Sequence, residues 1–525
     1  MKMTLEKFIR IQRFKNITKY ILFTFFLLFF FIQLNLSFTD FTNGFLKLAA
    51  VIKGMTRVDF SDYSLVFLKV FETFIIAFIA SLLGVVFATL FSPFLTDYII
   101  KNKFILKILN SLFSAFRTIP ALVFAAILVT LIGTGSFTGF ISLFIITFFS
   151  ASKLIKEYLE EIAKEKINSF KSLGFGKFTF FKACIYPISK SYIVSIFFLS
   201  LESSMRGASV LGLVGAGGIG QELWKNLNYL RYDKVSFIIL LLLFFIFITD
   251  SVSYFFRKKD SIIKTSTYRA YKTQKKLKAF FTVFLVFISF YFLKMLYSNE
   301  DMPQFFIIWE RLSMFIQKIA HIDLFYYKKA ILALLESFSL AFFATFLAAP
   351  TALIISFFAS SNIFNNKISM VAKFVINLIR TFPPIIVAII FFSGFGPRFI
   401  SGFFALYFYT TGVVAKVYTD ILESSEVDYG LYGKSIGLNK LYTYLRFWIP
   451  STYTNFISIL LYRFESNMKN SSILGMVGAG GIGELLINHI NYRNWEKVWF
   501  LLLILIFTII LIENVSIYIR TVIKK

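Results

Sequence analysis

The sequence predicts an all-α membrane protein of about 12 transmembrane helices, built as two tandem homologous halves with a pseudo-twofold axis along the membrane normal. Three observations carry this. The 525 residues are 58% hydrophobic, include 72 phenylalanines and have a mean hydropathy of +0.75, beyond the usage of soluble domains. The basic residues behind the formal net charge of +27 lie between apolar runs, which is the pattern of membrane topology and not of a nucleic-acid-binding face. Finally, Leu211-Gly-Leu-Val-Gly-Ala-Gly-Gly-Ile-Gly220 returns as Leu474-Gly-Met-Val-Gly-Ala-Gly-Gly-Ile-Gly483.

Taken in order, the chain opens with Lys2, Lys7, Arg10, Arg13, Lys15 and Lys19 before the apolar residues 20–38. That run is long enough to cross roughly 30 Å of hydrocarbon. It reads as a retained first span with a cytoplasmic N-terminus, since no small-residue cleavage site follows. Residues 39–65 read as a short outside loop and 66–91 as the second span. Lys101, Lys103, Lys107 and Arg117 mark a cytoplasmic return. Residues 118–150 are apolar but for Gly133-Thr-Gly-Ser136, which suits two short spans joined by an outer turn.

In 152–182, Ile155, Leu159, Ile162, Phe170 and Leu173 share one helical face, and Lys153, Glu157, Glu160, Lys164, Asn168 and Lys171 the other, as in an amphipathic helix on the cytoplasmic side. It ends at Gly174-Phe-Gly176. Pro187 stands at the mouth of the next span, 185–201, which Glu202 closes. After the glycine stretch a sixth span, 235–248, leads into Arg257-Lys-Lys259 and further lysines. The expected division is an N-terminal half, 1–256 with its core at about 66–256, a basic cytoplasmic linker, 257–278, and a C-terminal half, 279–525 with its core at about 329–518. Second-half spans are expected at 280–296, 330–358, 381–392, 399–414, 448–462 and 498–517, and Lys524-Lys525 keeps the C-terminus cytoplasmic.

The duplication is free of gaps over its centre. Arg117, Gly174, Pro187, Glu202 and Gly215 recur 263 residues later as Arg380, Gly437, Pro450, Glu465 and Gly478. Upstream, Glu72-Thr73 recurs as Glu336-Ser337 after 264 residues, so one residue was gained or lost between.

Gly215, Gly217 and Gly220 satisfy the G-x-G-x-x-G dinucleotide fingerprint. Between Glu202 and Val235, however, there is no room for a strand–helix–strand unit, and no G-x-x-x-x-G-K-[ST] loop occurs. The missing sheet therefore argues against a nucleotide-dependent oxidoreductase, and the sequence offers no motif for binding ATP. Gly215, Gly217, Gly218 and Gly220, with Gly478, Gly480, Gly481 and Gly483, fit either irregular backbone lining a translocation pathway at its outer side or tight helix packing through small residues. Arg206 and Lys469, four residues after Glu202 and Glu465, are candidate attractors of an anionic cargo or cations at the outer interface. The glutamates are then their structural partners. One cysteine, Cys184, and two histidines, His321 and His489, both read as ordinary loop residues, offer no metal site, and no cofactor or enzymatic activity is expected.

Glycine and proline thirteen residues apart, Gly174 with Pro187 and Gly437 with Pro450, resemble the cytoplasmic signature of binding-protein-dependent ABC importer permeases. The chain departs from that signature at Asn168 and Leu431, where the family often has an acidic residue. The segment from Glu202 through Arg206 to Gly220 is similar to phosphonate-type permeases, as are Arg117-Thr-Ile-Pro120 and Arg380-Thr-Phe-Pro383, and the two fused copies resemble the fused permeases of mycoplasmas. The resemblance implies a multi-pass plasma-membrane subunit that passes a small, anionic, phosphonate- or phosphate-bearing solute. An extracytoplasmic binding protein or lipoprotein would deliver the solute, and two copies of a separate ABC ATPase would drive transport. Methionine-like and thiamine-type cargoes are the alternatives. It also implies that Ile162, Asn168, Phe170, Leu173, Gly174, Pro187, Leu431, Gly437 and Pro450 couple to that ATPase, with the apolar face of Ile155, Leu159, Ile162, Phe170 and Leu173 seated in its groove. A twelve-span secondary transporter would not need these matched segments.

Overall fold

The computed structural model describes residues 38–171, 186–262 and 323–523, save positions 98, 426 and 428, together with 179, 288–292, 294, 309–313 and 317. Among the described residues there is no strand. Among the described residues seven helices are long and apolar enough to cross a membrane, and three bent helix pairs, each a broken span or a re-entrant loop, bring the number to ten if each counts as one span. The expected span at 20–38 lies outside the described residues except for Phe38, as does most of that at 280–296.

The chain divides into two compact units, 52–322 and 1–51 with 323–525. In the first, α2 (Tyr63–Phe91) packs against α5 (Ser136–Lys171) and α6 (Tyr186–Leu211), with α3 (Lys103–Thr118), α4 (Ala121–Ile132), α7 (Ile219–Asn228) and α8 (Tyr232–Ile262) around them. In the second, α9 (Tyr327–Ala359) packs against α12 (Phe399–Glu423) and α14 (Ile449–Leu474). Around these lie α10 (Asn366–Thr381), α11 (Pro384–Phe395), α13 (Tyr429–Ser435), α15 (Gly481–Asn491) and α16 (Trp495–Ile523). Each unit thus repeats the other's helix order, with α13 as the addition.

Residues 39–65 contain a helix and not only a loop: α1 spans Phe38–Met55. Its first part belongs to the C-terminal unit, where Leu48 is buried with Phe391, Phe395 and Ile400. Phe45 meets Phe395 edge-on at 5.2 Å. The two backbones come close because both crossing residues are glycines. A Cβ on Gly394 would lie 2.7 Å from the Gly44 carbonyl oxygen.

Two of the three bent pairs follow from proline. A residue before proline avoids the helical region, and Ile119 and Phe382 are extended (ψ 126° and 120°) ahead of Pro120 and Pro383. The chain turns there by 87° between α3 and α4 and by 80° between α10 and α11. The short helices then stop at Gly133 and Gly396, both at positive φ. In each unit the following helix is tied back to that glycine: Thr138 Oγ1 donates to Gly133 O at 2.7 Å, and Ser401 Oγ to Gly396 O at 2.8 Å. The turn expected in 118–150 lies where the glycines place it, but the two short spans are corrected: α4 has only 12 residues and counts as a span only together with α3, while α5 is a long helix.

The stretch after 150 differs between the units. It continues α5 without a break to Lys171, whereas α12 ends at Glu423. The sequence explains this: Glu161-Ile162-Ala163-Lys164-Glu165 is replaced by Ser424-Ser425-Glu426-Val427-Asp428. Serine hydroxyls compete for helical carbonyls. Here Ser424 Oγ donates to Ile421 O and Ser425 Oγ to Leu422 O, both at 3.2 Å.

Candidate functional site

The duplicated glycine stretches form sharp bends between two helices. In the N-terminal unit α6 passes through a 3₁₀ turn, Gly212–Val214, and α7 starts at Ile219. In the C-terminal unit a π turn, Gly475–Ala479, precedes α15, and the bend is 61°. A hydroxyl on the first long helix of each unit seals the bend. Ile219 N donates to Thr73 Oγ1 at 2.8 Å, and Ile482 N to Ser337 Oγ at 2.9 Å, which satisfies a helix-start donor that has no partner within its own helix. Only glycine fits beneath these hydroxyls. Gly218 and Gly481 sit at φ +74° and +73°, and a Cβ on Gly218 would lie 2.6 Å from Thr73 Oγ1. Added carbons at Gly220 and Gly483 would overlap the carbonyl oxygens of Ser209 and Ser472. The G-x-G-x-x-G run therefore joins helix to helix, with its helix start occupied by a side chain.

The acidic residues after the fifth spans are buried, Glu202 at 5% and Glu465 at 4% exposure. Arg206 Nη2 donates to Glu202 Oε1, and Lys469 Nζ to Glu465 Oε1 at 3.1 Å. Each cation is thus held by the glutamate one turn before it. Between the two members of each pair in sequence, and on another side of the helix, lies a buried polar junction of three helices. Ser204 Oγ meets Ser81 Oγ at 2.9 Å and Thr147 Oγ1 at 3.3 Å. Its counterpart Asn467 donates through Nδ2 to Thr345 Oγ1 and Thr410 Oγ1, both at 2.8 Å. The three positions correspond at offsets of 263, 264 and 263.

On the same helix as Asn467 lies Arg463, 7% exposed. Its guanidinium carbon is 5.2 Å from the centre of the Tyr409 ring, while Nε and Nη2 find no hydrogen-bond acceptor among the described residues. It follows Ile449 by about 20 Å at 1.5 Å per residue.

The second amphipathic segment is the short helix α13 and the turn that follows it. Gly433 is buried against Thr443, while Leu431, Tyr432 and Ile436 are exposed at 65%, 53% and 51%. Gly437 ends the turn at φ +74°, with nothing within 4 Å of an added Cβ. Asn439 then caps the next helical turn, its Oδ1 accepting from Tyr442 N at 2.9 Å. Pro450 is exposed. Lacking an N–H, it disturbs the hydrogen-bond ladder just upstream, and the helix widens there into a π turn, Tyr444–Trp448. Gly430, Leu431, Lys434 and Trp448 line part of a cleft of about 100 Å³.

The model of one family, described as the binding-protein-dependent transport system inner membrane component, matches residues 81–259 and again 352–524. The chain belongs to that family. Its relatives include the phosphate-import permease protein PhnE of Mycolicibacterium smegmatis, 24% identical over 414 residues, which are 77% of this chain and 76% of that protein. The phosphite transport system permease protein PtxC of Stutzerimonas stutzeri is 26% identical over 36% of this chain and 70% of its own. The carnitine transport permease protein OpuCD of Listeria monocytogenes is 27% identical over 30% of this chain and 71% of its own. The protein is accordingly a multi-pass permease of an ABC transport system, with an ATPase and a binding protein as partners of that system.

The permease brings together the residues that its sequence paired, Glu202 with Arg206 and Glu465 with Lys469, and it folds both glycine stretches alike. Of the coupling residues in the N-terminal half, Leu173 and Gly174 lie outside the described residues, as do the side chains of Ile162, Asn168 and Phe170. Pro187 is exposed in the first turn of α6. The apolar face expected to seat in a partner's groove is corrected at its start: Ile155 and Leu159 are 1% and 2% exposed, buried in the permease itself. His489 is corrected too. It lies in α15 and its Nε2 is 3.0 Å from Tyr326 Oη. Sequence reasoning passed over the caps Thr73 and Ser337, although the repeated Glu72-Thr73 and Glu336-Ser337 pairs were their signal. Arg463 was missed because comparison of the copies picks out what they share, and its counterpart is Ser200.

Proposed function

We propose that this permease imports a small phosphorus oxyanion of the phosphonate or phosphate class across the plasma membrane, with both chain termini in the cytoplasm. An extracytoplasmic binding protein delivers the solute, and two copies of an ABC ATPase supply the energy. The observation that carries this reading is the twofold family match within one chain, which supplies both permease domains of an importer, with permeases named for phosphate import and phosphite transport among its relatives.

In this reading Gly174 with Pro187 and Gly437 with Pro450 frame the surfaces on which the ATPases dock, a helix-in-groove contact. The exposed Leu431 and the turn at Gly437 support it for the second copy. The acidic family contact is absent at Asn168 and Leu431, so docking there rests on shape and apolar area. The glycines from Gly215 to Gly220 and from Gly478 to Gly483 act as rigid corners. ATP-driven closure of the partner then moves α13 and the end of α5, and the spans rock between inward and outward states.

Reconstitution of the permease with its ATPase and binding protein in proteoliposomes tests this. Uptake of inorganic phosphate or methylphosphonate is expected only with ATP and an active ATPase. Uptake that persists on an ion gradient with the ATPase inactivated would show a secondary transporter instead.

A further inference from the structure

We propose that Arg463 and Asn467 form a binding station for the phosphorus oxyanion inside the C-terminal unit, one that the N-terminal unit lacks; this rests on the import reading above. Three buried groups without a partner among the described residues lie one turn apart on α14. Arg463 Nε and Nη2 are buried donors without an acceptor among the described residues, and Asn467 Oδ1 is a buried acceptor without a donor. Residues four apart lie one above the other on a helix, so the donors and the acceptor share one side.

The Asn467 amide cannot simply be turned over to remove its orphan. Thr345 Oγ1 donates its proton to Ala341 O at 2.7 Å, so toward Asn467 it acts as an acceptor and requires the Nδ2 hydrogens. Thr410 Oγ1 takes the other hydrogen, which leaves Oδ1 facing elsewhere. The Tyr409 ring holds one face of the guanidinium and leaves its Nε and Nη2 edge, a two-pronged fork suited to oxyanions.

Two donors on a cation beside one fixed acceptor are the complement of a tetrahedral oxyanion that keeps one proton. Its unprotonated oxygens accept from the fork, and its P–OH donates to Asn467 Oδ1. A lipid headgroup offers related chemistry, but the two residues are 7% and 0% exposed and enclosed by protein, whereas headgroups sit at the bilayer surface. The N-terminal unit cannot repeat the station. The positions matching Tyr409, Arg463 and Asn467 are Ile146, Ser200 and Ser204, and Ser204 is already bonded to Ser81 and Thr147.

The test is equilibrium binding of methylphosphonate and inorganic phosphate to the full chain in phosphatidylcholine nanodiscs, without the binding protein. Wild type and Ser200→Ala should bind alike. Arg463→Gln should bind about 10- to 100-fold more weakly, the range for a hydrogen bond to a charged group, and Arg463→Lys should recover part of the loss. Equal binding by wild type and Arg463→Gln, or no binding of either probe by wild type, overturns the station. If Arg463→Gln does not fold, competition on wild type decides. Neutral dimethyl methylphosphonate, which has neither P–O⁻ nor P–OH, should not displace methylphosphonate, and displacement by it overturns the proposal. Phosphatidylglycerol that displaces both probes would assign the pair to lipid and overturn it as a cargo site. ATP-driven uptake that is insensitive to Arg463→Gln would remove the station while leaving the import reading intact.

Discussion

Ser337 shows how much rests on a single hydroxyl. It accepts from Ile482 N at the start of α15, a donor that water cannot reach because Ile482 is buried. Ser337→Ala is expected to lower stability by about 1 kcal/mol, the usual cost of a lost helix cap. Ser337→Thr should be tolerated, because Thr73 performs the same task in the other unit. Thermal unfolding in detergent checks both, and an unchanged melting temperature for Ser337→Ala would show the cap to be dispensable. The ion pairs were legible at this scale because Glu–x–x–x–Arg and Glu–x–x–x–Lys are helix neighbours by spacing alone. The Asn467 junction was not. It joins α9, α12 and α14 across more than 120 residues of sequence, and no local pattern announces such a meeting.

Among elements, α13 and its turn are the clearest departure from strict repetition. Gly437 has open space around an added Cβ but a positive φ, so Gly437→Val strains the turn without striking a neighbour. If this turn docks the ATPase, the variant should insert normally yet show weaker ATPase association in pull-downs and weaker stimulation by the binding protein. Unaltered stimulation would detach the turn from coupling. The long helices could be read from apolar runs and their corners from proline and glycine. α1 could not, because Asp40, Asn43, Lys47 and Lys53 interrupt its apolar character while Phe41, Phe45 and Leu48 still supply a packing face. The continuous α5 hid behind its charges. Lys153 with Glu157 and Lys156 with Glu160 form i,i+4 pairs at 3.7 and 3.5 Å, so a charged surface that resembles a separate segment belongs to one unbroken helix.

At the scale of the whole molecule, the sequence halves and the packed units do not share a boundary. Residues 38–51 belong by sequence to the first half and by packing to the second. Leu48→Ala is therefore expected to weaken the C-terminal unit by about 2–3 kcal/mol. Limited proteolysis should reveal this as faster cleavage in 384–423 with the cleavage rate in 63–91 unchanged, and faster cleavage in 63–91 alone would contradict the assignment. The duplication made the repeated order of helices legible, but not this exchange, since tandem copies look alike whichever copy a leading helix joins. The exchange also sets an order of events during synthesis. Phe45 leaves the ribosome 350 residues before Phe395, its ring partner. At roughly 5–20 residues per second, α1 spends about 20–70 s without its partner surface, while every helix of the first unit is already made. The C-terminal unit thus cannot close around α1 until Phe395 and Ile400 have been made.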